Sequence, residues 1–210
     1  MTAIPSQSGR RYTLEEYLEF EERSREKHEF HNGEILAMSG SSLEHALITA
    51  NVLRVLGNAL LGKPCRLFSS DLKIAIGQNA DILYPDGSVI CGAPEFHPAD
   101  PKHRLVTNPR VIVEVLSPTT EAYDRGAKFS LYRTLPSLQE YVLVSQDKAM
   151  IETFVRQADG RFVIAATFAN IDATAKLSSI DIQIALAEVY AGVTFPEPIP
   201  QPTFPERESS

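Results

Sequence analysis

Cysteine and long apolar runs are scarce in this sequence, and each shortage narrows the class of protein. The two cysteines, Cys65 and Cys91, form no CxxC pair, which predicts two free thiols in a reducing cytoplasm. No apolar run reaches the roughly 20 residues that a membrane-crossing helix needs. Residues 1–6 also lack the apolar segment of a secretory signal. We therefore expect a cytoplasmic protein without a membrane partner.

Positive charge is scarce as well. The 210 residues include 20 Lys and Arg against 27 Asp and Glu, which gives a net charge of -7. This balance argues against a dedicated nucleic-acid coat protein, since phosphate binding needs a basic footprint. An enzyme could still carry a local basic strip, and the candidates for it are Lys102, His103, Arg104, Arg110, Arg125 and Arg133. Scattered, solvated surface charges explain the same residues equally well.

Length and composition fit one domain with a sizeable core, because 43% of the residues are hydrophobic and 22% are charged. We expect a flexible lead over residues 1–11, a single domain over 12–195 and a disordered tail over 196–210. The tail is predicted to be extended because it is rich in proline. Its prolines are Pro196, Pro198, Pro200, Pro202 and Pro205.

Local patterns predict the secondary structure. Thr13 followed by Glu16 is a capping box that begins a helix, and Asn32-Gly33 is a strong hairpin-turn signal. The predicted strands are 27–31, 34–38, 66–76, 82–84, 88–91, 111–117, 140–145, 150–155 and 161–168. One predicted helix begins near residue 13, and three others cover 43–61, 120–135 and 180–190. A proline-bearing loop is predicted for 92–110. This order predicts an α/β or α+β fold in which helices flank a mixed central β-sheet.

Glu114 lies in the middle of the most strand-like run of the chain, 111–117. Because strands alternate faces, Glu114 shares its face with Ile112 and Leu116. A carboxylate on an apolar face costs several kcal/mol, roughly, unless something compensates its charge. Glu114 therefore needs a basic partner, a metal ion or an open cleft.

Asp86 and Lys128 are the groups that could accompany Glu114. Pro85-Asp86-Gly87 is also explained as an ordinary turn, and Lys128 is also explained as a helix pair with Asp124 four residues earlier. Taken together, carboxylates from two neighbouring strands make an oxygen-rich site suited to Mg²⁺ or Mn²⁺. A lysine beside them could orient the attacking water and stabilise charge on a phosphate undergoing hydrolysis.

A series of short motifs runs through the chain in a specific order. They are Tyr12-Thr-Leu-Glu-Glu-Tyr17, His28-Glu29-Phe30, Asn32-Gly33-Glu34, His45, Ser70-Asp71-Leu72, Tyr84-Pro85-Asp86, Val113-Glu114-Val-Leu-Ser-Pro118, Asp124, Lys128, Tyr132 and Glu140-Tyr141. The series, which covers about residues 12–195, resembles the Uma-type restriction endonuclease family, long catalogued as a domain of unknown function. That family belongs to the PD-(D/E)XK nuclease superfamily. The resemblance implies a restriction-endonuclease-like fold with Asp86 and Glu114 as ligands of Mg²⁺ or Mn²⁺.

One position departs from the simplest superfamily motif. Two residues after Glu114 the superfamily has lysine, whereas this chain has Leu116. The resemblance implies that the lysine comes from the following helix as Lys128. It also assigns Glu29 as a further ligand or water-positioning group and His45 as a histidine near the site. Three further acids of the series are expected at the rim or in structural roles: Glu34, Asp71 and Asp124.

The leading hypothesis is a metal-dependent endonuclease that hydrolyses DNA phosphodiester bonds, with Asp86, Glu114, Lys128, Glu29 and His45 in its catalytic site. One alternative is a catalytically inactive nuclease fold that binds nucleic acid or protein. Another is a hydrolase of a different phosphate ester with loop 92–110 as a lid, although the sequence has no Gly-rich phosphate loop. A homodimer is expected, because nucleases that cut both strands are often two-fold dimers.

Overall fold

The computed structural model describes the backbone of residues 2–3 and residues 11–38, 40–78 and 80–195. Its strands are β1 Thr2–Ala3, β2 His28–His31, β3 Glu34–Ala37, β4 Cys65–Ser69, β5 Lys73–Ile76, β6 Asp81–Leu83, β7 Gly87–Cys91, β8 Leu105–Val106, β9 Val111–Val115, β10 Glu140–Val144, β11 Met150–Arg156, β12 Phe162–Ala169, β13 Thr174–Leu177 and β14 Ile182–Ala185. Its helices are α1 Leu14–Arg23, α2 Leu43–Ala59, α3 Glu121–Tyr123, a π-helical turn Asp124–Lys128, α4 Phe129–Tyr132 and α5 Leu186–Val189.

The strands form two larger sheets and a separate hairpin. The first sheet has the order β1-β3-β2-β6-β5-β8, and the second has the order β12-β11-β10-β9-β7-β4. Strands β13 and β14 form the hairpin. Each larger sheet is mixed, since β5 and β8 pair in parallel in the first and β9 and β10 in the second. The predicted α+β class, with mixed sheets and flanking helices, is confirmed, although the strands are divided between two sheets.

The early elements form where local chemistry predicts them. Thr13 and Glu16 form both bonds of the capping box at the start of α1. In the turn between β2 and β3, Asn32 and Gly33 both have positive φ, 50° and 83°, which suits the tight two-residue hairpin. A Cβ at Gly33 would lie 2.7 Å from Cβ of Arg11, so the close approach of the chain also requires glycine there.

Strand β9 separates two hydrophobic cores. Val111, Val113 and Val115 belong to the core that includes the buried face of α2. Ile112 and Leu116 belong to a second core on the opposite face, together with Tyr132 of α4. Glu114 lies on this second face, as the alternation predicts, and so points toward the helical segment that carries Lys128. Helix α2 is confirmed, but its predicted ends are exposed, since Leu43 is 80% and Leu61 is 78% accessible.

Four predicted elements were wrong in part. The strand predicted for 66–76 is two strands, β4 and β5, in different sheets. The predicted loop 92–110 contains β8, which pairs with β5. The predicted helix 120–135 is confirmed as helical but includes the π-helical turn. The predicted helix 180–190 is mostly wrong, because β14 occupies its first half and pairs with β13, which was not predicted.

The prediction of two free thiols was also wrong. Cys65 and Cys91 face each other across the antiparallel pair β4 and β7, and their sulfurs form a disulfide. The bond joins the outer strand β4 to the strand that follows Asp86. The cysteines are 26 residues apart, so their pairing depends on strand register, which no short-range pattern reveals.

The predicted lead and tail are only partly described. Thr2 and Ala3 pair with β3 as a short antiparallel strand, and the remaining lead before Arg11 lies outside the described residues. The predicted disordered tail, 196–210, lies outside them as well. In the part of the chain that the structure describes, no helix is both long enough and apolar enough to cross a membrane.

Candidate active site

The structure brings all five predicted site residues to one cleft. Asp86, Glu114, Lys128, Glu29 and His45 line an open cleft of about 1200 Å³. They come from elements far apart in sequence, so the fold gathers them rather than any local motif. The cleft lies where the chain crosses between the two larger sheets, at the link from β6 to β7.

Each residue is held by a different element. Glu29 lies in β2 and Glu114 in β9, whereas Asp86 lies in the link between the sheets. His45 lies in the first turn of α2, whose N-cap is Ser42. Helix α2 approaches the β6–β7 link closely at the residue after Asp86. A Cβ at that position, Gly87, would lie 2.8 Å from a methyl carbon of Leu53 in α2.

Lys128 is at the centre of the buried charges. Its Nζ lies 2.8 Å from Oε1 of Glu114, 3.5 Å from Oε1 of Glu29 and 3.6 Å from Oδ1 of Asp124. It also donates to the Tyr84 backbone oxygen at 3.3 Å. The Lys128 side chain is 6% exposed. The helical segment therefore brings a lysine next to Glu114, whereas Leu116 stands two residues later in the chain.

The π-helical turn positions this lysine. Asp124 begins the turn and Lys128 ends it, and both are buried. A π-helical turn inside a helix is uncommon and occurs often at functional sites. Tyr141 in β10 anchors the start of the turn by donating from its hydroxyl to the Asp124 backbone oxygen at 2.9 Å.

Asp86 and Glu114 lie side by side. The Asp86 backbone N–H donates to Oε2 of Glu114 at 3.3 Å, and Oδ2 of Asp86 accepts from the Val115 N–H at 2.8 Å. These reciprocal bonds join the β6–β7 link to β9. The Asp86 side chain is 20% exposed, compared with 3% for Glu114. Asp86 is thus the carboxylate of the pair that reaches furthest into the cleft.

His45 contacts Asp86 and the backbone of β9. Its Nε2 donates to the Val115 backbone oxygen at 2.9 Å and lies 3.5 Å from Oδ2 of Asp86. Burial opposes the charged form of the ring, but the hydrogen bond and the charge of Asp86 outweigh it, so the pKa of His45 is raised. His45 therefore orients the Asp86 carboxylate and supplies partial positive charge beside it.

Negative charge exceeds positive charge in this cluster. Burial raises the pKa of Glu114 well above its ordinary value, with help from Asp124 and Asp86 and against the influence of Lys128. Burial also raises the pKa of Asp124, and Lys128 only partly offsets it. For Lys128, burial favours the neutral form, but the surrounding negative charges outweigh it and raise its pKa well above its ordinary value.

Two carboxylate oxygens in the cluster are incompletely satisfied. Tyr123 donates to Oε2 of Glu29 at 3.0 Å. Oε1 of Glu29 and Oε1 of Glu114, both fully buried, accept no hydrogen bond of good geometry from the described residues. The ammonium of Lys128 lies near both of these oxygens. Its 2.8 Å contact with Oε1 of Glu114 is an ion pair whose angle is poor for a hydrogen bond.

The donor set fits a hard divalent cation. No three His, Cys, Asp or Glu side chains of the described residues form a closed metal cage. Mg²⁺, however, is usually held by one or two carboxylates and completes its shell with water and substrate oxygens. Asp86 and Glu114 provide such a pair at the cleft. The excess of buried carboxylate charge around Lys128 is what a bound cation would neutralise.

Several residues of the site were not predicted. Asp124 was expected at the rim or in a structural role, but it is buried beside Lys128. Tyr123 contacts Glu29, and Tyr84 and Val115 contribute backbone groups. The i, i+4 spacing of Asp124 and Lys128 was the pattern in the sequence that indicated contact between these two side chains. Backbone contributions leave no signal in the sequence.

Glu34 and Asp71 do not line the cleft themselves, but Asp71 pairs with Lys27, which does. Glu34 is exposed on β3, and Asp71 is an exposed partner of Lys27 at 2.7 Å. None of the six basic residues proposed as a strip lines the cleft. Among them, Lys102 and Arg104 pair with Glu22, Arg110 donates to the Ser179 backbone oxygen, and Arg125 pairs with Glu121 and Glu152.

Two curated proteins are similar to this chain over most of its length. The chain is 41% identical over 197 residues to the uncharacterized protein slr1290 of Synechocystis, covering 91% of this chain and 97% of that protein. It is 37% identical over 152 residues to the uncharacterized protein sll1609 of the same organism, covering 72% of this chain and 85% of that protein.

A solved structure has the same fold. The crystal structure of "a putative nuclease belonging to DUF820" from Anabaena variabilis superposes with a TM-score of 0.65. It covers 85% of this chain and 97% of that chain at 17% identity. The sequence model of the Uma2 family, described as "Putative restriction endonuclease", matches residues 14–187. The match includes every residue of the charged cluster, and the chain belongs to the Uma2 family.

Proposed function

We propose that the protein is a Mg²⁺- or Mn²⁺-dependent endonuclease that hydrolyses DNA phosphodiester bonds. The observation that carries this proposal is the pairing of Asp86 with Glu114 beside a buried lysine on an open cleft. A structural ion pair would need one carboxylate for the lysine. This site has Glu29, Glu114 and Asp124 within 3.6 Å of Lys128 Nζ.

Asp86 and Glu114 would hold the cation, which when bound would polarise the phosphate and lower the pKa of a bound water. Lys128 keeps its proton, because its pKa is raised. It therefore serves as a fixed positive charge that orients the attacking water and stabilises charge on the phosphate, not as a general base. Glu29 holds the other side of the lysine, with its own position fixed by Tyr123.

Plasmid nicking tests this proposal. Wild type is expected to nick supercoiled plasmid DNA in Mg²⁺ or Mn²⁺ and to lose that activity in the metal chelator EDTA. Glu114→Ala is expected to lose it in either metal. Glu140→Gln, which changes a buried glutamate outside the cleft, is the matched control and should keep activity. Equal nicking by wild type and Glu114→Ala, or no nicking by wild type with any divalent metal, would overturn the proposal.

A second candidate is a binding module that has the nuclease fold without catalysis. Leu116 in place of the superfamily lysine and the net charge of -7 favour it. Calorimetric titration with Mg²⁺ or Mn²⁺ separates the two, since the module has no need for a metal at Asp86. The third candidate, a hydrolase of another phosphate ester with loop 92–110 as a lid, loses support because no residue of that loop lines the cleft.

We further propose that two copies of the chain form the nuclease. Strand β12 is the outer strand of its sheet, and its eight residues FVIAATFA contain neither charge nor proline. Val163 and Ile164 in β12 are 45% and 60% exposed. The pairing of β12 with β11 shifts register between Thr153 and Phe154, but the edge has neither the charges nor the prolines that also prevent strands from pairing between molecules. Sedimentation equilibrium should give a dimer for wild type and a monomer for Ile164→Lys. A wild-type monomer at micromolar concentration would exclude the dimer.

We propose that the protein acts in the cytoplasm, where its proposed substrate is found. The Cys65–Cys91 disulfide is of a kind that is rare there, because glutathione and thioredoxin keep cytosolic thiols reduced. Fractionation of cells that express the tagged full chain, followed by immunoblotting, tests this location. The protein is expected in the cytoplasmic fraction, and its recovery outside that fraction would overturn the proposal.

A further inference from the structure

The cleft has very few positive charges that a nucleic acid could reach. Among the residues that the structure describes, the Lys and Arg residues that line it are Lys27 and Lys128. Lys128 is buried among carboxylates, whereas the Lys27 side chain is 38% exposed. A polyanion that entered the cleft would therefore meet carboxylates from Asp86 and its neighbours and one accessible lysine. Because these carboxylates repel a phosphate, the proposed cation at Asp86 and Glu114 and positive charge at the rim would both be needed to hold a DNA strand in the cleft.

A second lysine, Lys73, does not line the cleft itself but lies beside Tyr84, a residue of the cleft wall. The ammonium of Lys27 lies 5.8 Å from the centre of the Tyr84 ring, and the ammonium of Lys73 lies 5.4 Å from the same centre. One tyrosine ring thus has two lysines in cation–π range. Both ammonium groups also act on the Asp71 carboxylate, which pairs with Lys27 at 2.7 Å and whose charged form Lys73 favours as well, so one anion can lie within the electrostatic reach of both lysines.

Tyr84 fixes the position of this pair relative to the candidate active site. It is two residues before Asp86, and its backbone oxygen accepts from Lys128. Its hydroxyl donates to Glu21 at 2.7 Å, and the residue is 2% exposed. The ring is therefore a rigid part of the cleft wall. Lys27 is further held by Ser70, whose backbone oxygen accepts from its Nζ at 2.9 Å.

We propose that Lys27 and Lys73 form a subsite for a backbone phosphate of the DNA strand, adjacent to the phosphate that is cleaved at Asp86 and Glu114. The proposal rests on the proposed nuclease function. Lysine suits the task because its ammonium is a compact point charge that binds phosphate without a fixed orientation. These residues touch a non-reacting phosphate, so they bind and position the strand and take no part in the chemical step.

Asp71 is the counter-ion of this subsite in the free protein. It pairs with Lys27 at 2.7 Å, but its side chain is 81% exposed. The charges of Lys27 and Lys73 both lower its pKa, so it is ionised near neutral pH. Exposed ion pairs of this kind contribute little free energy, and a phosphate can displace the carboxylate. Removal of the Asp71 charge should therefore strengthen phosphate binding.

The salt dependence of DNA binding tests the subsite. Binding of a fluorescein-labelled duplex oligonucleotide is measured by anisotropy over roughly 50–200 mM salt. Ca²⁺ replaces Mg²⁺ as the hard cation, and a gel confirms that the DNA stays intact. The Lys27→Ala/Lys73→Ala variant should bind more weakly and show a log–log salt slope smaller in magnitude by about 1–2. Lys176→Ala, which removes an exposed lysine from β13 outside the cleft, should match wild type.

Steady-state cleavage in Mg²⁺ gives a second readout. The double lysine variant should raise KM with little change in kcat, and Asp71→Asn should lower KM and bind the oligonucleotide more tightly. Wild-type slope and KM in the double variant, in a protein that cleaves DNA, would overturn the subsite and leave the nuclease proposal intact. A wild type that neither binds nor cleaves DNA would overturn both proposals together.

Discussion

Two buried glutamates on neighbouring parallel strands have opposite surroundings. Glu140 begins β10 and is fully buried. It accepts from the backbone N–H groups of Ser178 and Ser179 at 3.2 Å and 3.0 Å and from the Ser179 hydroxyl at 2.7 Å. Glu114 in β9 is almost as buried, but its nearest charged neighbours beyond Lys128 are carboxylates. Hydrogen-bond donors thus surround one glutamate, and competing acids surround the other.

The difference distinguishes a buried glutamate whose hydrogen bonds are complete from one whose surroundings leave room for a ligand. Burial raises the pKa of Glu140, and three hydrogen bonds oppose the rise, so its site is complete without a ligand. Glu114 retains an oxygen without a good hydrogen bond, and it competes with Glu29 and Asp124 for one lysine. A carboxylate cluster of that kind is stable only when a cation or protons reduce its charge.

The largest expected effect is on catalysis. Asp86→Asn keeps the shape of the side chain and removes one carboxylate ligand. Metal polarisation of the phosphate supplies several kcal/mol, so the nicking rate in Mg²⁺ should fall by roughly 10²–10⁴-fold. Glu140→Gln should change the rate less than tenfold. A comparable loss in the two variants would mean that the contrast between the two glutamates has no functional meaning.

The next effect is on stability. Lys128→Met removes the positive charge from the buried cluster and leaves its carboxylates uncompensated, which should cost about 3–5 kcal/mol in the free energy of unfolding. Because Mg²⁺ binds the native carboxylates, added Mg²⁺ should restore part of this loss. Urea unfolding at pH 7 with Mg²⁺ or with EDTA measures both. A loss that is the same with and without Mg²⁺ would contradict a cation site in this cluster.

A smaller loss is expected at the complete site. Ser179→Ala removes the hydroxyl that donates to Glu140 and should cost about 1–3 kcal/mol. No cation should compensate it, since Glu140 lies outside the carboxylate cluster. Urea unfolding with and without Mg²⁺ should give the same difference from wild type. Rescue of Ser179→Ala by Mg²⁺ beyond that of wild type would place a second cation site at Glu140.

The smallest effect concerns pH. The pKa of Glu114 is raised by burial, Asp124 and Asp86, so the native state holds its proton more tightly than the unfolded chain does. Without metal, the Glu114 contribution to the free energy of unfolding therefore falls as pH rises above the ordinary value of 4.5. Thermal unfolding at a series of pH values measures this slope.

Glu114→Gln should flatten that slope by at most about 1.4 kcal/mol per pH unit. Mg²⁺ should flatten it in wild type and in Glu140→Gln, because the cation replaces the proton at Glu114. An unchanged slope in Glu114→Gln would show that Glu114 does not take up its proton on folding in this range.

Part of the site was predictable because short patterns carried it. The alternation in 111–117 predicted that Glu114 shares its face with Ile112 and Leu116, and those two residues do lie together in one core. The capping box at Thr13 and the turn at Asn32-Gly33 were confirmed for the same reason. In each case the residues that decide the conformation lie within a few positions of one another. The place of Lys128 beside Glu114, at 2.8 Å, was implied by the family resemblance and not by any local pattern.

The predictions that failed depend on longer-range pairing. One continuous strand was predicted in place of β4 and β5, since the turn between them, 70–72, contains neither Gly nor Pro. In β14, Ile182 and Ile184 are buried and Gln183 is exposed. This alternation is typical of a strand, but the prediction for 180–190 was a closing helix. The disulfide and the burial of Asp124 follow from strand register and from the π-helical turn, which require the fold itself.

The most direct test of the central claim is calorimetric titration of the chain with Mn²⁺. Wild type and Glu140→Gln should each bind Mn²⁺ at the cleft, whereas Asp86→Asn and Glu114→Gln should lose that binding while remaining folded by circular dichroism. Equal Mn²⁺ binding in all four proteins, or none in wild type at millimolar Mn²⁺, would contradict the assignment of Asp86 and Glu114 as a metal-binding pair.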